Sequence, residues 1–216
     1  MNSGEVLAEL RRRANGKVLS GMGRFGIKGK RMLGVSIPEI RQIAKKAGKD
    51  HTLAAGLWRS GIHEARILAC MIDEPARVTE AQMERWAAGF DSWDLCDQCC
   101  GSLFDKTRYA YSKAMEWSGD RREFVKRAGY SIMASLAVHD KMADDSEFTA
   151  FLPFIKMGAT DGRNFVRKGV SWALRQIVKR NSRLRIMAIR TAEEIKDMDS
   201  GSSGWIASDV LRELGR

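Results

Sequence analysis

Val125 to Leu136 reads VKRAGYSIMASL, and 41 residues further on Val166 to Ile177 reads VRKGVSWALRQI. Laid over one another, the two segments share a basic pair, then small residues, then an apolar stripe with spacings of three and four, the helical period. EARILACMI, from residue 64, is a weaker copy. A unit of about 40 residues made of two helices is the pattern of HEAT-type solenoids, in which a helix pair buries its apolar face only by stacking on the next pair. Two amphipathic helices can also match by chance, but no strand pattern elsewhere competes with the helical one.

Working outward, apolar residues recur at helical spacing in HTLAAGLWRSG, IHEARILACMI, VTEAQMERWAAGF, SWDLCDQCCGSLF, REFVKRAGYSIMASLAV, SEFTAFLPFIKMG, NFVRKGVSWALRQIVKRN, SRLRIMAIRTAEEI and SGWIASDVLREL. Ser36 with Glu39 three residues on forms a capping box, and Pro38 sits in the first turn, so a helix is expected through IPEIRQIAKKAG to Gly48. The three prolines, Pro38, Pro75 and Pro153, fall where helices begin or connections run. The expected fold is all-α: a HEAT-like repeat solenoid, or α-α superhelix, of stacked antiparallel helix pairs with a basic concave face, forming a single domain over residues 1–216.

Composition narrows the class. Hydrophobic residues make up 44% of the 216 and charged residues 30%, which excludes both a disordered chain and a membrane protein. No apolar run reaches the roughly 18 residues of a spanning helix. The start, MNSGEVLAELRRRANG, interrupts any leader-like apolar stretch with charge, so a cytoplasmic location is expected. Of the four cysteines, Cys70, Cys96, Cys99 and Cys100, three fall within five residues, a poor disulfide framework; reduced thiols are expected. Cys96 and Cys99 form a CxxC without a second pair or a nearby histidine to complete a zinc site, so they read as small apolar residues of a packed helix, with metal or redox use the weaker alternative.

The net charge is +10, and its distribution is more telling than its size. From Leu10 to Pro38 there are eight Lys or Arg and no acid; from Gly162 to Ala192 there are nine and none. A solvated helix face mixes signs, so two such windows point to a surface that tracks phosphates. Arg66, Lys126, Arg127, Arg167 and Lys168 stand at related places in the repeated helices, with Arg175 further along the last of them, and are candidates for a basic stripe. The partner expected is double-stranded DNA, bound by a monomer, with no membrane. The glycine-rich stretch GMGRFGIKGKRMLG, Gly21 to Gly34, fails the P-loop pattern because Ile27 follows Gly26; it reads as a basic loop that touches a DNA backbone, or as a plain surface connection.

In FDSWDLCDQCC, Trp93 and Asp97 lie four residues apart and so share one helical face, whereas Asp94 points elsewhere and suits the positive end of the helix. Trp172 stands in the middle of the basic helix NFVRKGVSWALRQ. A tryptophan on an amphipathic helix commonly serves the core, and an aspartate near a helix start commonly serves as a cap. His51, His63 and His139 are scattered, show no sequence partner, and are expected in core or capping duty.

SWDLCD, FVKRAGYSIMASL and NFVRKGVSWALRQIVKRN, with SIPEIRQIAKK and SGIHEARILA upstream, together resemble the AlkD-like DNA alkylation repair proteins from about residue 17 to the end. The resemblance implies HEAT-like repeats around a basic cleft and, in active members, a DNA glycosylase that removes cationic alkylated purines such as 3-methyladenine and 7-methylguanine without a cofactor or metal. It implies Asp97 as the catalytic carboxylate, Trp93 and Trp172 as cleft aromatics, and Arg127 as a backbone-binding cation. It implies also that the lesion stays stacked in the duplex, whereas most base-modifying enzymes extrude it. Some members of that family bind damaged or branched DNA without catalysis, which is the alternative function.

Overall fold

The structure, a computed structural model, describes residues 1–29 and 31–213. Every regular element among them is helical, and they divide into two compact units, Met1–Thr107 and Arg108–Arg216.

The first unit holds α1 (Ser3–Arg12), α2 (Gly16–Arg24), α3 (Ile37–Ala47), α4 (His51–Arg59), α5 (His63–Ile72), α6 (Glu80–Ala88) and α7 (Trp93–Ser102). Their starts follow the local chemistry of orphan N–H groups. Asn15 Oδ1 accepts from Lys17 N and Val18 N at α2, Asp50 Oδ1 from Leu53 N at α4, and Thr79 Oγ1 from Gln82 N at α6. The expected Ser36 and Glu39 pairing is present, with the Glu39 carboxylate accepting from both the backbone N–H and the hydroxyl of Ser36. At the centre lies α5, packed against α3, α4 and α7; Ala65, Ile67, Leu68, Ala69, Cys70 and Ile72 are buried along it, beside the buried polar residues His63, Glu64 and Arg66. A stacked Trp58 and Trp86 pair, 4.1 Å between ring centroids, extends this core toward Phe90 and Phe104.

The second unit holds α8 (Ala110–Ser118), α9 (Glu123–His139), α10 (Asp145–Thr149), α11 (Leu152–Gly158), α12 (Asn164–Val178), α13 (Ser182–Lys196) and α14 (Gly201–Glu213). The two repeated segments are α9 and α12, and they pack on each other. Residues paired by the 41-residue offset share the same fate: Val125 and Val166, Ala128 and Gly169, Met133 and Leu174, Leu136 and Ile177 are all buried. Glycine sets one crossing. A Cβ on Gly129 would stand 2.5 Å from Ser118 N and 2.8 Å from Ala114 O, so only glycine lets α8 approach α9 this closely.

Two expectations change, and two helices lie outside the segments read from the sequence. SEFTAFLPFIKMG is two helices, because Pro153 has no N–H to carry α10 onward and starts α11 in its place. Part of the supposed loop Gly21–Gly34 is helical, since α2 runs to Arg24. The segment AYSKAMEWS forms α8, whose buried face is made mostly of Ala110, Ala114 and Trp117, too little apolar bulk to mark it in the sequence. The N-terminal residues form α1, closed by a mutual Asn2 and Glu5 cap. Among the described residues, no helix is long and apolar enough to cross a membrane.

Candidate nucleic-acid interface

Trp93 and Asp97 lie on the half-buried side of α7, one turn apart as their spacing requires. The opposite side is Leu95, Cys96, Cys99 and Cys100, all fully buried, with α7 packed on α5. The four cysteines are unbridged, and burial pushes the Cys99 and Cys100 thiols well above their ordinary range, which keeps them protonated and unreactive.

The start of α7 is fastened by charge. His63 Nε2 lies 2.8 Å from Asp94 Oδ2, both side chains buried. Burial by itself would raise the Asp94 carboxyl, but the hydrogen bond and charge of His63, with help from Ser92 and the Leu95 N–H, outweigh it and hold the group below its ordinary value. The sequence shows no partner for the histidines, and the structure supplies two of them with one, because His51 Nδ1 also lies 2.7 Å from the buried carboxylate of Asp73. Asp94 serves this pair before it serves the helix terminus.

The glycine-rich connection after α2 is tied to the same place. Trp93 Nε1 donates to Phe25 O at 2.9 Å, His63 N donates to Arg31 O at 2.9 Å, and the buried Glu64 carboxylate accepts from Leu33 N and Gly34 N. Gly34 adopts φ +75°, and a Cβ there would stand 2.3 Å from Asn15 O. Phe25, whose carbonyl holds Trp93, is 71% exposed; an aromatic inside a basic, glycine-rich run is its only sequence signal.

In the second unit, α9 presents Arg127 and α12 presents Trp172. Arg127 is only 6% exposed, and its Nη1 donates to Phe165 O at 2.6 Å, so part of the guanidinium links α9 to the start of α12. Trp172 is half-buried. Trp93 and Asp97 thus share one helix of the first unit, and Arg127 and Trp172 stand on packed neighbours in the second.

The predicted stripe is less uniform than the sequence suggests. Arg66 is buried against Asp91 at 3.1 Å, donates to Gly89 O, and lies 4.7 Å over the Trp58 ring. Lys126 pairs with Asp161 at 3.1 Å. The same carboxylate is gripped by Arg163, which with Lys126 overcomes partial burial and holds Asp161 far below the ordinary carboxylate range. Arg167 lies 4.5 Å over the Trp205 ring. Arg175 approaches Asp209 at 3.5 Å and Glu213 at 3.1 Å. Lys168 is exposed and makes no ion pair among the described residues. Acids from beyond the acid-free windows therefore fold back onto many of their cations. Among the described residues, no group of three His, Cys, Asp or Glu side chains is arranged to hold a metal ion.

A family model described as "DNA alkylation repair enzyme" matches residues 6–202. A solved structure described as "A new family of proteins related to the HEAT-like repeat DNA glycosylases with affinity for branched DNA structures" is similar in fold, with a TM-score of 0.80 and 20% identity over 99% of this chain and 95% of that one. A designed armadillo repeat protein aligns at a TM-score of 0.40 and 12% identity, over 82% of this chain and 92% of that one. No curated protein matches the chain. The fold is the all-α, HEAT-like repeat architecture that the 41-residue repetition predicts.

Proposed function

The chain belongs to the DNA alkylation repair enzyme family, and on that premise we propose that it is a DNA glycosylase which hydrolyses the N-glycosidic bond of cationic N-alkylated purines, 3-methyladenine or 7-methylguanine, in duplex DNA. The observation that carries the proposal is the placement of Asp97 one turn from Trp93 on a helix whose start is locked by the buried His63 and Asp94 pair.

The chemistry asks little of the protein. An alkylated purine already carries positive charge and leaves as a neutral base, so the barrier lies in the oxocarbenium character that develops on the sugar. In this reading, the Asp97 carboxylate stabilises that cation and orients the attacking water. The Trp93 and Trp172 indoles meet the cationic nucleotide through stacking and cation–π attraction, worth roughly 0.5–2 kcal/mol each. Arg127 and the cations Arg66, Lys126, Arg167, Lys168 and Arg175 supply the field that holds the phosphate backbone. The helices act as one HEAT-like domain, as a cytoplasmic monomer, and the reaction needs no cofactor.

The experiment is base release from alkylated duplex DNA by the purified protein, with Asp97→Ala beside it. Release by the wild type, and none by a variant that still binds DNA, supports the reading; equal release by both removes Asp97 from the site. The second reading is a non-catalytic binder of damaged or branched DNA, in keeping with the description of the structure of similar fold. It predicts tight, salt-sensitive binding to junctions with no base released from any alkylated substrate.

A further inference from the structure

A cavity of about 200 Å³ opens in the second unit, lined by Arg175, Val178, Lys179, Arg185, Val210 and Glu213. These residues come from the last turn of α12, the residue after it, the first turn of α13 and the last described turn of α14. The polar part of the lining is three cations and one carboxylate. Glu213 is shared, paired with Arg175 at 3.1 Å and also with Lys179. Asp209, the next acid along α14, is largely occupied: it accepts from Ser171 Oγ at 2.6 Å and from Arg212 at 2.8 Å.

Arg185 is the residue that a simple brace between α12 and α14 leaves unexplained. It is exposed, makes no ion pair among the described residues, and stands with Arg183 in the first turn of α13. That end of a helix carries the positive pole of the backbone dipoles, where cations are unfavourable and anions are favoured. At the last turn of α12 the dipole has the opposite sign and suits Arg175 and Lys179. Arg175 and Lys179 on the α12 side share Glu213, with Asp209 3.5 Å from Arg175, while Arg185 on the α13 side pairs with no acid among the described residues, so an excess of positive charge remains beside Val178 and Val210.

We propose that this cavity binds a phosphomonoester carried on a sugar, with the phosphate among Arg175, Lys179 and Arg185 and the sugar over Val178 and Val210. Glu213 holds the phosphate's place until the ligand displaces it. A phosphomonoester is close to a dianion at neutral pH and so outcompetes a single carboxylate, which the singly charged diester of a continuous backbone does less well. The volume lies below the roughly 300–1,000 Å³ of drug-sized ligand pockets, a size that suits one sugar phosphate. Such a group is offered by the 5′ end of a DNA strand or by a free mononucleotide; the first source rests on the DNA-binding reading above.

The test titrates deoxyadenosine 5′-monophosphate, with deoxyadenosine as control, into the full chain, into Arg185→Ala and into Glu213→Gln, in about 0.1 M salt. The monophosphate is expected to bind about ten-fold more tightly than the nucleoside, to lose about ten-fold with Arg185→Ala, and to gain several-fold with Glu213→Gln. Equal binding of nucleoside and monophosphate, or indifference to Arg185→Ala, overturns the proposal. A second arm compares 5′-phosphorylated with 5′-hydroxyl duplexes. A preference of about ten-fold that is lost in Arg185→Ala assigns the site to strand ends. Equal duplex binding with mononucleotide binding retained assigns it to free nucleotides. If neither duplex binds but the mononucleotide does, the cavity assignment stands and the DNA-binding reading falls.

Discussion

Two helices, α7 and α12, each carry a half-buried tryptophan that the proposed function uses, and they are held by different physics. The start of α7 is fastened by buried charge: His63 against Asp94, with Glu64 gripping the connection to which Trp93 is itself bonded. Helix α12 is fastened by packing, with Val166, Gly169, Val170, Ala173, Leu174 and Ile177 buried and α9 alongside, itself crossed closely by α8 at Gly129. The first arrangement responds to protons and the second to volume. Trp93 is therefore sensitive to pH and to loss of a charge partner, and Trp172 to any added methylene near the α8, α9 and α12 stack.

The largest expected effect is on the packed side. Gly129→Val places carbon against the α8 backbone, which cannot move aside as a flexible side chain can, and should cost about 3 kcal/mol or more, read as a lower urea midpoint. An unchanged midpoint would mean that the crossing is looser than described. Next comes His63→Leu, which leaves Asp94 buried without its partner and should cost about 2–3 kcal/mol at neutral pH.

The sign with pH distinguishes this loss from a packing defect. In the wild type the lowered Asp94 group contributes stability above the ordinary value of 3.8, and that contribution is lost as pH falls through its lower folded value. In His63→Leu, burial is opposed only by Ser92 and the Leu95 N–H, so the group rises relative to the wild type and the variant recovers relative to it on acidification; a gap that stays constant with pH would contradict the buried-charge account. A smaller effect belongs to Asp161. Its carboxyl is also lowered, and Asp161→Asn should remove about 1 kcal/mol at neutral pH because the pair is partly solvated, with the difference fading below about pH 4. The smallest concerns Lys168→Ala, which should leave the fold intact and lower the salt slope of DNA binding by about 1.

The same contrast governs what the sequence makes legible. The α9 and α12 repeat is visible because packing imposes a period, and buried residues recur at one spacing wherever two helices meet the same neighbours. The shared face of Trp93 and Asp97 is legible from the same period, since four residues make one turn, while their roles come only from the family resemblance. The pair of His63 with Asp94 joins residues 31 apart in the chain, and Arg175 meets Glu213 across two helices, so no local pattern announces either. The acid-free windows report charge along the chain, while Asp161, Asp209 and Glu213 offset part of it in space. Helix α8 escapes notice because, apart from Trp117, its buried side is only Ala110, Ala114, Lys113 and Ser118.

The most direct test of the central claim is the single-turnover rate of 7-methylguanine release from alkylated duplex DNA, measured for the wild type and for Asp97→Asn at matched DNA occupancy. The account predicts measurable release by the wild type and a fall of at least about a hundred-fold in the variant, with DNA affinity nearly unchanged. Equal rates for the two proteins would contradict it.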